Sequence, residues 1–327
     1  MAAEVTLLDA ARRGDEAAFE QLVTPHRAEL HAHCYRMLAS VQDAEDALQE
    51  ALLGAWRGLG RFEGRSSLRS WLYTVATNAC LRLVERRPKL VLPVDYGPAA
   101  DPHDGLSEAV LEPLWVEPYP DAGLAYEQRE SVELAFIAAL QHLPARQRAV
   151  LILSEVLGFS GAEVAEALET TPASVYSALQ RAHKTVDERL PRQSQQATLR
   201  ALGDERLRVL VGEFIAAWER SDVGAVAALL TDDVTLAMPP LPEWYAGIEA
   251  VSTFLSSTPL HAPGRWRVLP VTANGQAAVA GYLRDEQGGF SAHGIELFTL
   301  EGGRIAGIMA FLDASMFARF GLPDRVD

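Results

Sequence analysis

The chain has 327 residues, 49% of them apolar, and a formal net charge of −15. That length fits two or three domains, and the acidity excludes a protein that coats nucleic acid with a uniform basic surface, so charge has to be read segment by segment. Its two cysteines, Cys34 and Cys80, form no CxxC pair. This argues against a disulfide framework or a zinc site and fits a reducing cytoplasm. The N-terminus lacks a basic, then apolar leader, and no run reaches about 18 uncharged apolar residues, so neither a signal peptide nor a membrane span is expected.

From Glu4 to Arg87 apolar residues recur at three- and four-residue steps, the period of helices. Pro25 suits the first turn of a second helix. "SVQDAEDALQEALLGAWRGL" (Ser40–Leu59) then crowds Asp43, Glu45, Asp46 and Glu50 into about two turns above an apolar stripe of Val41, Ala44, Ala47, Leu48, Leu52, Leu53 and Trp56. "RFEGRSS" reads as a loop, and the apolar helix after it ends in Arg82, Arg86 and Arg87. Aromatics and arginines beside a loop suit single-stranded nucleic acid. Alternatively, Phe62, Trp71 and Tyr73 are core and the arginines are a solvated helix end. Trp71 reads as core; the loop and Asn78 read as a binding surface.

Between Pro88 and Asp121 prolines recur, with "DYGPAADPHDG" and "WVEPYPDAG", which predicts a long irregular linker. Trp115 and Tyr119 within it are expected to dock, because flexible linkers seldom carry large aromatics. Helical periodicity resumes at Tyr126. In "LPARQRAVLILSEVLGFSGAEVAEALETTPASVYSALQRAHKTV", Pro144 opens a helix that stops near Gly158. Ser160 and Glu163 make a capping box, and Pro172 opens a longer helix after the turn "ETT". Short helix, tight turn and longer helix predict a helix-turn-helix, packed through Val164, Ala165, Leu168, Val175 and Leu179. Thr171, Ser174, Tyr176, Ser177, Gln180, Arg181 and Lys184 then face outward, a set suited to a major groove and its phosphates. An ordinary helical hairpin would need no DNA, and Glu169 stands where glycine is often used.

"PRQSQQATLRALGDE" separates this region from a third, which opens with the helix "RLRVLVGEFIAAWERSD" and a second short helix, "VGAVAALLTDDV". Four strand-like runs follow: "RWRVLPVTA", "QAAVAGYLRDE", "FSAHGIELFTLE" and "RIAGIMAFLD", punctuated by "NG", "QGG" and "EGG". The order is therefore all-helical, linker, all-helical, then α+β.

"DAEDALQEALLGAWRGLGRFEGRSSLRSWLYTVATNAC" resembles region two of the extracytoplasmic-function sigma factors, and the helix-turn-helix stretch resembles their region four. The third segment resembles the SnoaL-like cone fold, in which a bent sheet wraps a cavity against helices, and "MPPLPEWYAG" recurs in sigma factors that carry such an extension. The resemblance implies two all-α domains followed by an α+β cone domain: region two at 1–88, linker at 89–125, region four at 126–191 and the cone at 204–327. It implies a cytoplasmic transcription-initiation subunit with core RNA polymerase and promoter DNA as partners, no membrane, no cofactor and no metal. By the resemblance Asp43, Glu45, Asp46, Gln49 and Glu50 face a basic coiled coil of polymerase. Phe62, Gly64, Arg65 and Ser66 receive a base flipped from the minus-ten element, and Asn78 and Arg82 contact the same element. Region four binds DNA through Thr171, Ser174, Ser177, Gln180, Arg181 and Lys184. Two departures are the early Pro88, which cuts short the usual basic run, and His183 where many relatives have arginine.

SnoaL-like relatives include cyclases and isomerases that use a His/Asp pair, so the second reading is a small-molecule enzyme on a repurposed sigma scaffold. Its candidates are His293, Asp232, Asp233, Glu296 and Asp313. Alternation places His293 with Ile295 and Leu297 on one face, directed into the cone, and Glu296 on the other. Trp244 and Tyr245, with Met238 and His293, either line a pocket for an unidentified small ligand or cover a domain interface.

Overall fold

The helices of the amino-terminal part begin on side chains that the local sequence supplies. In the computed structural model, which describes residues 2–64, 66–110, 114–122, 129–191 and 193–327, α1 spans Ala2–Arg12, α2 Glu16–Val23, α3 Arg27–Leu38, α4 Val41–Gly58 and α5 Leu68–Val84. Asp15, Ser40 and Ser67 cap α2, α4 and α5 by accepting the N–H groups of Ala18, Asp43 and Ser70. Pro25 sits in a short 3₁₀ turn, Thr24–His26, that leads into α3. Ala39, left-handed at φ 57°, ends α3 and lets Ser40 start α4 at once.

The chain divides into two units, residues 1–89 with 135–190 and residues 90–134 with 191–327. The first unit also contains α7 (Leu134–Gln141), α8 (Ala145–Leu151), α9 (Gly161–Ala167) and α10 (Pro172–Asp187). A π-helical turn, Ile152–Val156, follows α8, and Gly158 at φ +72° closes it. The capping box forms as expected, with Ser160 accepting from the Glu163 N–H and the Glu163 carboxylate accepting from the Ser160 N–H. Val164, Ala165, Leu168 and Val175 are buried between α9 and α10. Glu169 takes the left-handed turn at φ 50° without glycine.

The second unit holds α6 (Pro93–Tyr96), α11 (Gln195–Leu202), α12 (Asp204–Glu219), α13 (Val223–Ala228) and α14 (Ile248–Ser257) around a seven-stranded sheet. The strands are β1 (Leu230–Ala237), β2 (Trp244–Ala246), β3 (Trp266–Ala273), β4 (Gln276–Arg284), β5 (Phe290–Glu301), β6 (Arg304–Phe311) and β7 (Arg325–Val326). Their order is β2-β1-β6-β5-β4-β3, with β7 on β5. Leu210, Phe214 and Trp218 of α12 pack into the sheet with Val279, Phe298, Ile308 and Trp266. The short helix expected over "VGAVAALLTDDV" ends at Ala228, and "LTDDV" opens β1 instead. The stretch expected as a polar separator contains α11, whose Gln195 exchanges hydrogen bonds with Leu300 of β5 at 2.8 and 3.2 Å.

The irregular segment does not run free of this unit. Trp115 and Tyr119 are buried, as their size predicts. Asn274, at the β3–β4 turn, accepts from the Tyr119 N–H at 2.8 Å and donates to the Val132 carbonyl at 2.7 Å; its own N–H donates to the Tyr119 carbonyl at 2.8 Å. Its φ of 54° lies where asparagine is tolerated. Glu133, buried, accepts from the N–H groups of Gln195 and Gln196 at the start of α11. Trp244 donates to the Gly97 carbonyl at 2.8 Å, and Val110 donates to the Pro240 carbonyl at 2.9 Å. Burying so many peptide groups demands partners, and the cone unit supplies them along the segment.

Candidate polymerase and nucleic-acid surfaces

The outward face of α4 is acidic. Glu45, Asp46, Gln49 and Glu50 are exposed, and Leu53, 56% exposed, continues their face by one turn. Gln49 donates to Glu45 at 3.3 Å, and Gln42 donates to Asp46 at 3.4 Å. Asp43 is a correction. It is only 5% exposed and is ion-paired with Arg87. Its place three residues after the Ser40 cap turns it inward with Ala47 and Ala51, which are also buried.

The loop before α5 is only partly available. Phe62 is buried, with its ring 5.0 Å from Trp71, and its carbonyl accepts from Arg12. It therefore belongs to the core reading rather than the base-binding one. Gly64 adopts φ +72°, and Ser66 is exposed. Arg65 lies outside the described residues. On α5, Asn78 is half-buried and Arg82 is exposed. The guanidinium of Arg82 is held by Glu50 through two hydrogen bonds of 2.8 and 3.1 Å, so a cation expected on DNA pairs with an acid expected on polymerase.

A network that the sequence reading missed supports this helix. Glu29 accepts from Arg69 at 2.7 Å, from Tyr73 at 3.1 Å, and lies 2.6 Å from His26. Burial would raise its pKa, but the Arg69 and His26 hydrogen bonds outweigh it and hold the carboxyl below its ordinary value. His33, fully buried against Thr77 at 2.9 Å, is pushed down to about 3 by burial and by the nearby Arg36 charge.

On α10 the expected outward set is exposed: Thr171, Ser174, Ser177, Gln180, Arg181 and Lys184. Val175, Ala182 and Val186 form the buried side. Thr171 caps the helix, and Tyr176 is 71% exposed. Arg146 donates to the Leu168 carbonyl at 2.6 Å and so ties α8 to the end of α9. His183 lies 3.6 Å from Glu155.

The three pocket candidates of the cone are not brought together. Trp244 and Tyr245 are successive strand residues and point to opposite faces. Trp244 turns to the captured segment, while Tyr245 stacks on Phe254 at 4.5 Å inside the core. His293 meets Trp266 at 5.2 Å, beside a register shift between β4 and β5. Glu296, not the Ile295/Leu297 face, turns toward α12: its cross-strand partners Val279 and Ala310, and Phe298 two residues on, belong to the interior cluster. It is 7% exposed, and burial raises its pKa to about 8. Asp232, Asp233 and Asp313 are exposed. Two grooves, of about 950 and 580 Å³, lie along α11 and α12 instead. Among the described residues no cluster of potential ligands suits a metal, and no helix is long and apolar enough to cross a membrane.

Comparison with known proteins accounts for this layout. Residues 22–89 match the sigma-70 region 2 family, residues 133–186 sigma-70 region 4, and residues 211–308 the SnoaL-like domain. The chain is 42% identical over 326 residues to the ECF RNA polymerase sigma factor SigG of Mycobacterium tuberculosis, covering 96% of this chain and 86% of that one. It is 32% identical over 181 residues to SigM of the same organism, covering 55% and 80%. The crystal structure of the M. tuberculosis extracytoplasmic function sigma factor SigJ shares the fold, with a TM-score of 0.57 and 23% identity over 91% of this chain and 97% of that one. The chain belongs to the extracytoplasmic-function sigma factors of RNA polymerase, in the form that carries a SnoaL-like C-terminal domain.

Proposed function

We propose that this sigma factor is regulated in cis by its cone unit, which holds the segment joining region two to region four. The observation that carries this reading is the capture of residues 90–134, stitched to the cone through Asn274, Glu133 and Trp244. A fused domain acts at high effective concentration, so modest contacts suffice. In this reading Glu45, Asp46, Gln49 and Glu50 dock on a basic surface of core polymerase, where opposite charge speeds encounter and sets register. Gly64, Ser66, Asn78 and Arg82 serve the minus-ten element, with Arg65 in the same loop, and the exposed face of α10 reads the second hexamer. Polymerase supplies most of the DNA affinity, which reconciles the role with a net charge of −15. Such a factor works in the cytoplasm, beside polymerase. A small ligand in the cone unit would matter only by favouring one state of the captured segment. The grooves along α11 and α12 have room for one.

Run-off transcription with core polymerase tests this. A chain ending at Leu190 is expected to differ from the full chain in promoter-dependent output at limiting polymerase. Equal output at every ratio would contradict regulation by the cone.

A further inference from the structure

Of the two grooves in the cone unit, the smaller, of about 580 Å³, has a positive rim. Arg129 of the captured segment, Arg200 of α11 and Arg208 of α12 line it, against Asp121 and Asp204. The larger groove has the opposite balance, with Glu205, Glu213 and Glu301 against Arg206 and Arg304. Arg200 and Arg208 are exposed and, among the described residues, make no ion pair. Asp121 is already engaged: its Oδ1 accepts from the Gly275 N–H at 2.8 Å, and burial raises its pKa. Below the rim, Leu199, Leu207, Val211 and Ile215 form an apolar floor that joins the core of the unit. The last three recur at four-residue steps along one face of α12. From Asp204 to Ile215 that face runs about 16 Å.

Gly212 keeps this groove open. It lies inside α12, where glycine destabilises a helix relative to alanine. Packing does not require it, because a Cβ there would meet nothing within 4 Å, and its φ is not left-handed. Gly212 itself lines the groove, so a side chain at this position would take up its space. The rim end is also where the captured segment is clamped. Gly275, at the β3–β4 turn, leaves no room for a Cβ, which would stand 2.8 Å from the Arg129 carbonyl oxygen and 2.9 Å from Gln196 Nε2. Gln196 donates to the Gly275 carbonyl. All three residues line the groove, so an occupant touches the segment and its clamp together.

We propose that this groove binds a small amphipathic anion, an acyl chain with a carboxylate or phosphate head, and that the bound anion locks residues 90–134 onto the cone unit. The arginines take the head, through charge-assisted hydrogen bonds stronger than neutral ones. The α12 face takes the chain and removes its apolar surface from water. Because Arg129 belongs to the captured segment, only the captured state presents the full set of cations, and the ligand favours that state. The effect on transcription rests on the cis-regulatory reading; the binding does not.

The test is titration calorimetry on the full chain with sodium dodecanoate and with dodecyl phosphate, each below its micelle concentration. One anion should bind per chain, and the tighter of the two identifies the head. Dodecylamine, with the same chain and the opposite charge, should bind at least about tenfold more weakly, and so should inorganic phosphate, which has no chain. Gly212→Leu should weaken binding by about tenfold without loss of thermal stability, and Arg200→Gln combined with Arg208→Gln should weaken it by a similar factor. The bound anion should slow amide exchange at Tyr119, whose N–H donates to Asn274. Should Gly212→Leu unfold the unit, seen as lost helical signal, the double arginine variant alone decides. Absence of saturable binding, full binding in the folded variants, or equal binding of dodecylamine overturns the site. Saturable binding without slower exchange at Tyr119 overturns the lock. Slower exchange with unaltered run-off transcription would fault cis regulation while the site stands.

Discussion

The polar side chains with assigned candidate roles sit differently in the two units. In the helical unit the functional candidates stand on surfaces, along α4 and α10, over cores of alanine and leucine. In the cone unit the polar residues with most partners, Asn274, Glu133, Gln195 and Gln196, are buried and spent on holding backbone. A surface side chain can be changed with little cost to folding, whereas a buried one is part of the fold. In the proposed reading the helical unit meets partners outside the chain, while the cone unit holds a segment of its own chain.

The largest effect expected is on pH dependence, and it differs in sign between the units. His33 has a depressed folded pKa of about 3, so it stays neutral while the unfolded chain takes up a proton; the helical unit loses about 1.4 kcal/mol per pH unit as pH falls from about 6.5 toward 3. The depressed Glu29 pushes the same way. Glu296 has a raised folded pKa of about 8 against an ordinary 4.5, so its stabilisation is complete below about 4.5 and is lost, at a similar slope, as pH rises toward 8. Calorimetry should show the helical unit melting earlier in acid and the cone melting earlier in mild alkali, with Glu296→Gln flattening the second trend. The same melting order at pH 4 and pH 8 would break the comparison.

Next in size is Asn274→Ala. It strips partners from the buried Tyr119 N–H and Val132 carbonyl, at about 1–3 kcal/mol each, and forces alanine into a left-handed φ. Thermal melting should lose several degrees in the cone transition and none in the helical one. Arg181→Ala is expected to weaken promoter binding by about 1–3 kcal/mol, and changes at Ser177 or Gln180 to alter base preference, in binding assays with the polymerase holoenzyme. Smallest in stability is the pair Asp46→Lys and Glu50→Lys, about 1 kcal/mol because the second breaks the exposed Glu50–Arg82 ion pair, yet co-elution with core polymerase should drop sharply. Asp43→Asn sharpens the contrast, since its burial against Arg87 makes it costly to the fold.

Much of the helical unit was legible because helices announce themselves locally. Ser40, Ser67, Ser160 and Thr171 each cap within three residues of their own position, and Pro172 and Gly158 mark a start and a stop. What failed there was burial. Asp43 and Phe62 carry the right chemistry for their expected partners, but Arg87 and Trp71, distant in sequence, take them into the fold. In the cone, β3 to β6 were legible by alternation, whereas β1 was hidden in an apolar run that suits helix as well as strand. His293 and Glu296 were placed on opposite faces, but which face looked inward depended on α12 and on a register shift that alternation does not reveal. The captured segment shows the same limit: its prolines and glycines read as an irregular linker and its aromatics as docking points, but the partners that pin it, among them Asn274 and Trp244, are distant in sequence.

The measurement closest to the central claim is run-off transcription with core polymerase, comparing the full chain with its Asn274→Ala form across a range of polymerase ratios. Loosening residues 90–134 while leaving α4, α5 and α10 untouched should shift promoter-dependent output at limiting polymerase and converge with the parent at excess. Indistinguishable output at every ratio, with the segment verified as released by faster amide exchange at Tyr119, would contradict the account.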